Sequence, residues 1–111
     1  MTPKEIMKCY FEAWLQRDFD ALQALFAEDM TFRGPLGSAD SAVECRHGLE
    51  RMAKMMHGLE IKAMADDGPD VITWFELQTA NTDPIPVANW ARVEDGKVQQ
   101  VRVTFDPRAL L

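Results

Sequence analysis

The sequence predicts an α+β fold: three N-terminal helices packed on one face of a strongly curved, mainly antiparallel sheet, with a pocket between the layers. Two observations carry this. Apolar residues recur at helical spacing through the first half of the chain, interrupted by one short strand, and then switch to period two from Leu59 onward. The second half also contains three turn signatures, DDGPD, ANTDP and EDG, which cut it into four strands of a meander. At 111 residues the chain supports one core, so a single domain over 1–111 is expected.

Thr2, Pro3 and Glu5 form a helix start: a hydroxyl cap, a proline at the first helical position and a carboxylate three residues after the cap. Ile6, Tyr10, Ala13 and Trp14 then share one face of a helix over about 3–16. Asp18 can cap a short second helix in which Leu22, Leu25 and Phe26 face the core, and a strand follows at about 29–34. Gly34, Pro35 and Gly37 break the chain. Asp40 or Ser41 caps a third helix running to about Met56, with Val43, Leu49, Met52, Met56 and Cys45 as its buried side, Gly48 as a kink or late start, and Gly58 as its stop. The strands are LEIKAMA, VITWFELQT, IPVANWARV and KVQQVRVTF, and Asp95-Gly96 is the strongest hairpin signal among their turns.

Charge excludes several function classes. Eighteen acidic residues against twelve basic give a net charge of −6, so the chain has no basic field for a nucleic acid or an anionic membrane. No apolar run reaches the length of a membrane span and the N-terminus lacks a secretory pattern, which makes a cytoplasmic location the expectation. Cys9 and Cys45 stand far apart without metal-ligand spacing, so they read as small hydrophobes, and His47 and His57 read as a surface and a helix-end histidine. No metal or cofactor is expected.

Some residues break the pattern. In the last strand Val101, Val103 and Phe105 alternate with polar residues and face the core. In the strand before it, Val87, Asn89, Ala91 and Val93 form the inward set, and Asn89 is an amide that needs a partner there. Tyr10 is the matching polar group on helix 1. Two uncharged donors converging in an apolar space are the form a site for a carbonyl or enolate oxygen takes. Glu76 is ambiguous: hydrophobicity places Val71, Thr73, Phe75 and Leu77 inside, yet Ile72 and Trp74 share the face of Glu76. In TFRGPLGS, alternation leaves the inward position 34 with no side chain at all.

The stretch YFEAWLQRDFDALQALFAEDMTFRGPLGS, together with VANWARVEDGKVQQVRVTF, resembles the nuclear transport factor 2-like superfamily, and within it SnoaL-like and ketosteroid isomerase-like proteins. The resemblance implies the cystatin-like cone of that superfamily, whose scaffold carries isomerases, cyclases, hydrolases and binding modules. Carried over by residue, the isomerase tyrosine falls on Tyr10, its protonated aspartic acid on Asn89, and its aspartate base on Gly34, so that the base is missing. Counting back from Asn89 in the isomerase-like register puts Glu76 and Trp74 on the cavity side.

The resulting expectation is proton-transfer chemistry, as in an isomerase or cyclase, on an apolar carbonyl compound. Tyr10 and Asn89 would hold the oxygen, Glu76 would move the proton, and Trp14, Phe32, Gly34, Leu36, Met52, Met56, Trp74, Val87, Val101, Val103 and Phe105 would line the pocket. The alternative is a non-catalytic module binding a carbonyl or phenolic ligand. The outer sheet face, with Trp90 beside Arg92 and Arg102, suits a partner surface, and the resemblance implies a homodimer there.

Overall fold

Thr2 opens the first helix as the sequence predicts. In the computed structural model, which describes residues 1–111, the Thr2 side chain accepts from the Glu5 backbone N–H at 3.1 Å while Glu5 Oε1 accepts from the Thr2 N–H at 2.8 Å. This reciprocal cap starts α1, Pro3–Gln16, and Asp18 caps α2, Phe19–Ala24. Ser41, and not Asp40, caps α3, Ala42–Ala53, by accepting from the Glu44 N–H; Asp40 instead pairs with Arg33 at 2.7 Å. The three helices cover one face of a six-stranded sheet.

The strands are β1 (Phe26–Gly34), β2 (Gly37–Ala39), β3 (Met56–Asp67), β4 (Asp70–Thr79), β5 (Ile85–Glu94) and β6 (Lys97–Thr104), in the spatial order β2-β1-β6-β5-β4-β3. All pairs are antiparallel except β1 with β6. That parallel pair is what the intervening chain makes possible, since β1 and β6 are far apart in sequence and need no tight turn. The Asp95-Gly96 turn takes φ of 53° and 73°, the two positive values a tight β5–β6 hairpin requires.

Several boundaries differ from the sequence reading. Phe26 begins β1 rather than ending α2, and its ring still reaches the core from the strand. Three residues after Pro35 pair back onto β1 as β2, too short a strand to show a period. Helix α3 is continuous through Gly48 and ends at Ala53, so Met56 and Gly58 belong to β3. Its buried stripe is Ala42, Cys45, Leu49 and Ala53, which turns Val43 outward to solvent. The core was read from size and apolarity, and the helix instead packs its small residues against the sheet.

Arg17 ties these layers together. It sits at the C-terminal cap of α1 with φ 60°, and its Nη2 donates to the carbonyls of Ala53 at 2.9 Å and Met56 at 3.0 Å, across the α3–β3 junction. Glycine adopts this left-handed backbone without steric cost. Because glycine would also relieve the strain that Arg17 carries, Arg17→Asn is the cleaner variant: asparagine tolerates the same backbone, the clamp is lost, and stability is expected to fall by about 1–2 kcal/mol, read as a reduced urea midpoint with an unchanged slope. An unchanged midpoint would show that the clamp contributes nothing.

Candidate functional site

The pairing of β4, β5 and β6 determines which side chains look toward the helices. Asn89 stands directly opposite Thr73 on β4 and Val103 on β6. Directly opposed residues of antiparallel strands share a face, so Val71, Thr73, Phe75 and Leu77 point inward with Asn89. Hydrophobicity was the correct guide, and the isomerase-like count was not. Glu76 lies on the outer face opposite Glu60 and Pro86, with Oε1 3.8 Å from Lys62 Nζ. Trp74 lies on the same outer face and is 48% exposed. Neither can reach the cavity.

That cavity, about 340 Å³, occupies one half of the sheet's inner face. Tyr10 and Trp14 reach it from α1; Phe32, Gly34 and Leu36 from β1 and its turn; Cys45, Leu49 and Met52 from α3. Phe75, Leu77, Val87, Asn89, Val103 and Phe105 form its floor. Met56 and Val101 were expected in the lining but pack in the solid core: Met56 starts β3, and Val101 lies toward the closed end of the sheet opposite Ala91. The sequence reading missed Cys45, Leu49, Phe75 and Leu77 as lining, although their inward period was visible. It also missed Glu44, Arg51 and Met55, exposed residues of α3 and its end that form the mouth.

Gly34 lines the cavity at the position that has no side chain. A Cβ added there would meet Phe32 Cε1 at 3.2 Å and Val103 Cβ at 3.7 Å, both lining residues. The vacant position is therefore directed into the pocket. Trp14 is fixed at the opposite wall because its Nε1 donates to the Leu49 carbonyl at 3.0 Å.

Tyr10 and Asn89 are buried polar groups of the cavity lining, 1% and 2% exposed, and Thr73 lies buried beside them. The Tyr10 ring is wedged edge-on against Phe11, with centroids 4.9 Å apart, and tilted against Phe26 and Trp14. Burial raises its pKa well above the ordinary 10.0, the neighbouring Cys45 thiol adds to the rise, and the Asn89 amide opposes it weakly. Asn89 Oδ1 itself has no hydrogen-bond partner, and neither has Thr73 Oγ1 across the strand pair. Burial also pushes the Cys45 thiol up to about 12, so it lines the site as a small apolar group and not as a thiolate. No group of three or more His, Cys, Asp or Glu side chains is arranged to hold a metal. No helix is long and apolar enough to cross a membrane.

The family model of the SnoaL-like domain matches residues 8–101, and the chain belongs to that family. Among curated proteins there is no sequence match. Solved structures agree on the fold. An NTF2-like protein of unknown function from Cytophaga hutchinsonii superposes with a TM-score of 0.85 at 24% identity, covering 99% of this chain and 95% of that one. An LEH-like epoxide hydrolase of M. tuberculosis superposes at 0.80 with 20% identity, covering 96% and 84%. A Catenulispora acidiphila protein of ketosteroid isomerase-like fold, in complex with trimethylamine, superposes at 0.77 with 20% identity, covering 93% and 85%. At these identities the likeness is one of fold.

Tyr10 is the only tyrosine in the chain, which makes its ionisation directly observable. A phenol whose folded pKa is raised stabilises the fold fully below its unfolded value near 10, and this contribution is lost as pH rises through the folded value. The raised Cys45 thiol acts with the same sign from about 9 to 12. Stability is thus expected to fall above pH ~10, with a shallower fall in Tyr10→Phe. Near-ultraviolet absorbance of phenolate should appear together with unfolding; phenolate formed in the still-folded protein at pH 10 would contradict the burial.

Proposed function

We propose that the protein binds a small apolar molecule carrying one carbonyl or phenol oxygen, and that it holds this oxygen between Tyr10 and Asn89 without moving a proton to or from carbon. The observation that supports the reading most is Asn89, an amide buried in the cavity lining whose Oδ1 has no hydrogen-bond partner. An orphaned buried amide costs about 1–3 kcal/mol, which a ligand hydrogen bond offsets. The amide acts on Tyr10 as an N–H donor, so a carbonyl can accept from Nδ2 and from the Tyr10 hydroxyl; a half-turn of the amide presents Oδ1, to which a phenol can donate while accepting from Tyr10.

General-base chemistry needs a base within about 2.6–3.2 Å of the proton it takes. The resemblance carries the base position onto Gly34, which has no side chain, and Glu76 faces outward. A second reading, isomerase-like or cyclase-like turnover, rests on Glu44, the one carboxylate in the lining. Its Oε1 is engaged at the mouth, accepting from the Asp40 N–H at 2.8 Å, which favours the binding reading. Calorimetry with 4-propylphenol and propylbenzene tests it. The phenol is expected to bind at least about tenfold more tightly, and Asn89→Leu to remove the difference. Deuterium exchange next to the carbonyl of a cyclic enone, catalysed by the protein and lost in Glu44→Gln, would replace binding with catalysis.

We also infer a homodimer through the outer sheet face. Ile72 lies directly across from the exposed Trp90, and Trp74 lies between Ala63 and Ala88. Charges of both signs surround this apolar stripe: Arg92 pairs with Asp70 and Glu94, and Arg102 donates to Thr31 Oγ1 at 3.1 Å. A two-fold axis brings such a patch against itself with opposite charges in register. Light scattering at micromolar concentration is expected to give a dimer, and Trp74→Arg a monomer; a monomeric unsubstituted protein would remove this inference.

A further inference from the structure

The mouth of the cavity carries a charge that the fold does not use. Arg17, Arg33, Arg46, Arg92, Arg102 and Arg108 all donate hydrogen bonds within the chain. The Arg51 guanidinium makes no hydrogen bond or ion pair, although the chain carries eighteen acidic residues for its twelve basic ones. It lines the cavity from the exposed side of α3. Its guanidinium lies back over its own helix: Nη2 is 3.8 Å from where a Cβ of Gly48 would sit, and nothing else lies within 4 Å of that point.

Gly48 sharpens the observation. Its backbone is ordinary α-helix, where glycine costs roughly 0.5–1 kcal/mol against alanine. No contact would be violated by a methyl group there. What the missing side chain provides is open space at the cavity edge, beside the free guanidinium. Glu44, one turn earlier on the same face, has its Oε1 turned to the start of α3, where it accepts from the Asp40 N–H. The carboxylate at the mouth is thus engaged while the guanidinium is free.

From this we infer that the ligand is a monoanion, an apolar carbonyl or phenolic compound whose far end is a carboxylate held by Arg51 at the mouth. The inference rests on the cavity reading proposed above and adds the charge of the ligand. A planar guanidinium meets a carboxylate in two parallel hydrogen bonds. The lining contains this single cation and no lysine, which matches one negative charge rather than a phosphate dianion. The ligand would then span from a neutral pair of polar groups in the interior to a charged group at the surface, with its apolar body between Trp14, Met52 and Phe105.

The test compares 3-(4-hydroxyphenyl)propanoate with its methyl ester by calorimetry on the full chain. The acid is expected to bind at least about tenfold more tightly than the ester. In Arg51→Gln the ratio of the two affinities should collapse to near one, and Arg51→Lys should keep part of it. An ester that binds as tightly as the acid, or a ratio unchanged in Arg51→Gln, overturns the inference. If acid and ester bind equally and both weaken in Asn89→Leu, the anion is refuted while the cavity reading stands. If neither binds, both fail.

Discussion

Asn89 faces Thr73 on one neighbouring strand and Val103 on the other, and this register settles the sidedness of β4 and of the β5 and β6 segments beside it. Side chains alternate with a period of two along an unbroken ladder, so fixing one position fixes its neighbours up to the register shifts at Arg92/Val93 and within β3. It sends Phe75, Leu77 and Val87 inward and Trp74, Glu76 and Trp90 outward. Slipping β4 by one residue would bury Glu76 and expose Phe75, at the cost of an unpaired carboxylate in an apolar layer. The inward set of β4, Val71, Thr73, Phe75 and Leu77, is 3% exposed or less throughout, so no intermediate arrangement is available to the strand.

The cavity exists because side chains are absent where the layers would otherwise meet. Gly34 leaves space between Phe32 and Val103, and Gly48 leaves it on the facing helix. Protein interiors close-pack wherever they can, and the other half of this sheet does so, with Val71, Ala91, Val98 and Val101 fully buried. One face of one sheet thus carries a solid core and a pocket side by side, and Asn89 with Thr73 marks the border between them. Both have an unpartnered oxygen at that border.

The parts of the fold written in local chemistry were legible in the sequence: the Thr2 capping box, the Asp18 cap and the Asp95-Gly96 hairpin each rest on residues within a few positions of one another. The inward run of β5 was legible because Val87, Ala91 and Val93 agree around Asn89. Elements whose signal is shorter than their period were not: β2 has three residues, and the α3–β3 junction passes through Met55 and Met56, apolar in either structure. The cavity was legible in part, since Tyr10, Gly34 and Asn89 stand out against their patterns while Trp14 and Val103 follow theirs inward. Glu44 and Arg51 did not, because a charged residue on the exposed side of a helix looks the same whether it faces solvent or the rim of a pocket.

The two deep polar groups and the buried thiol share one property: each is held uncharged. Tyr10 and Cys45 are both pushed to keep their protons, chiefly by burial, and Asn89 has no charge to lose. A pocket whose interior neither gains nor loses protons between about pH 5 and 9 cannot offer a base, but it offers hydrogen bonds whose strength does not change across that range. An amide such as Asn89 also donates without needing a raised pKa. Charge enters only at the rim, where water screens it and where Glu44 and Arg51 lie on the same helix face. On the proposed reading, the neutral interior would select for the shape and the oxygen of a ligand, and the rim for its charge.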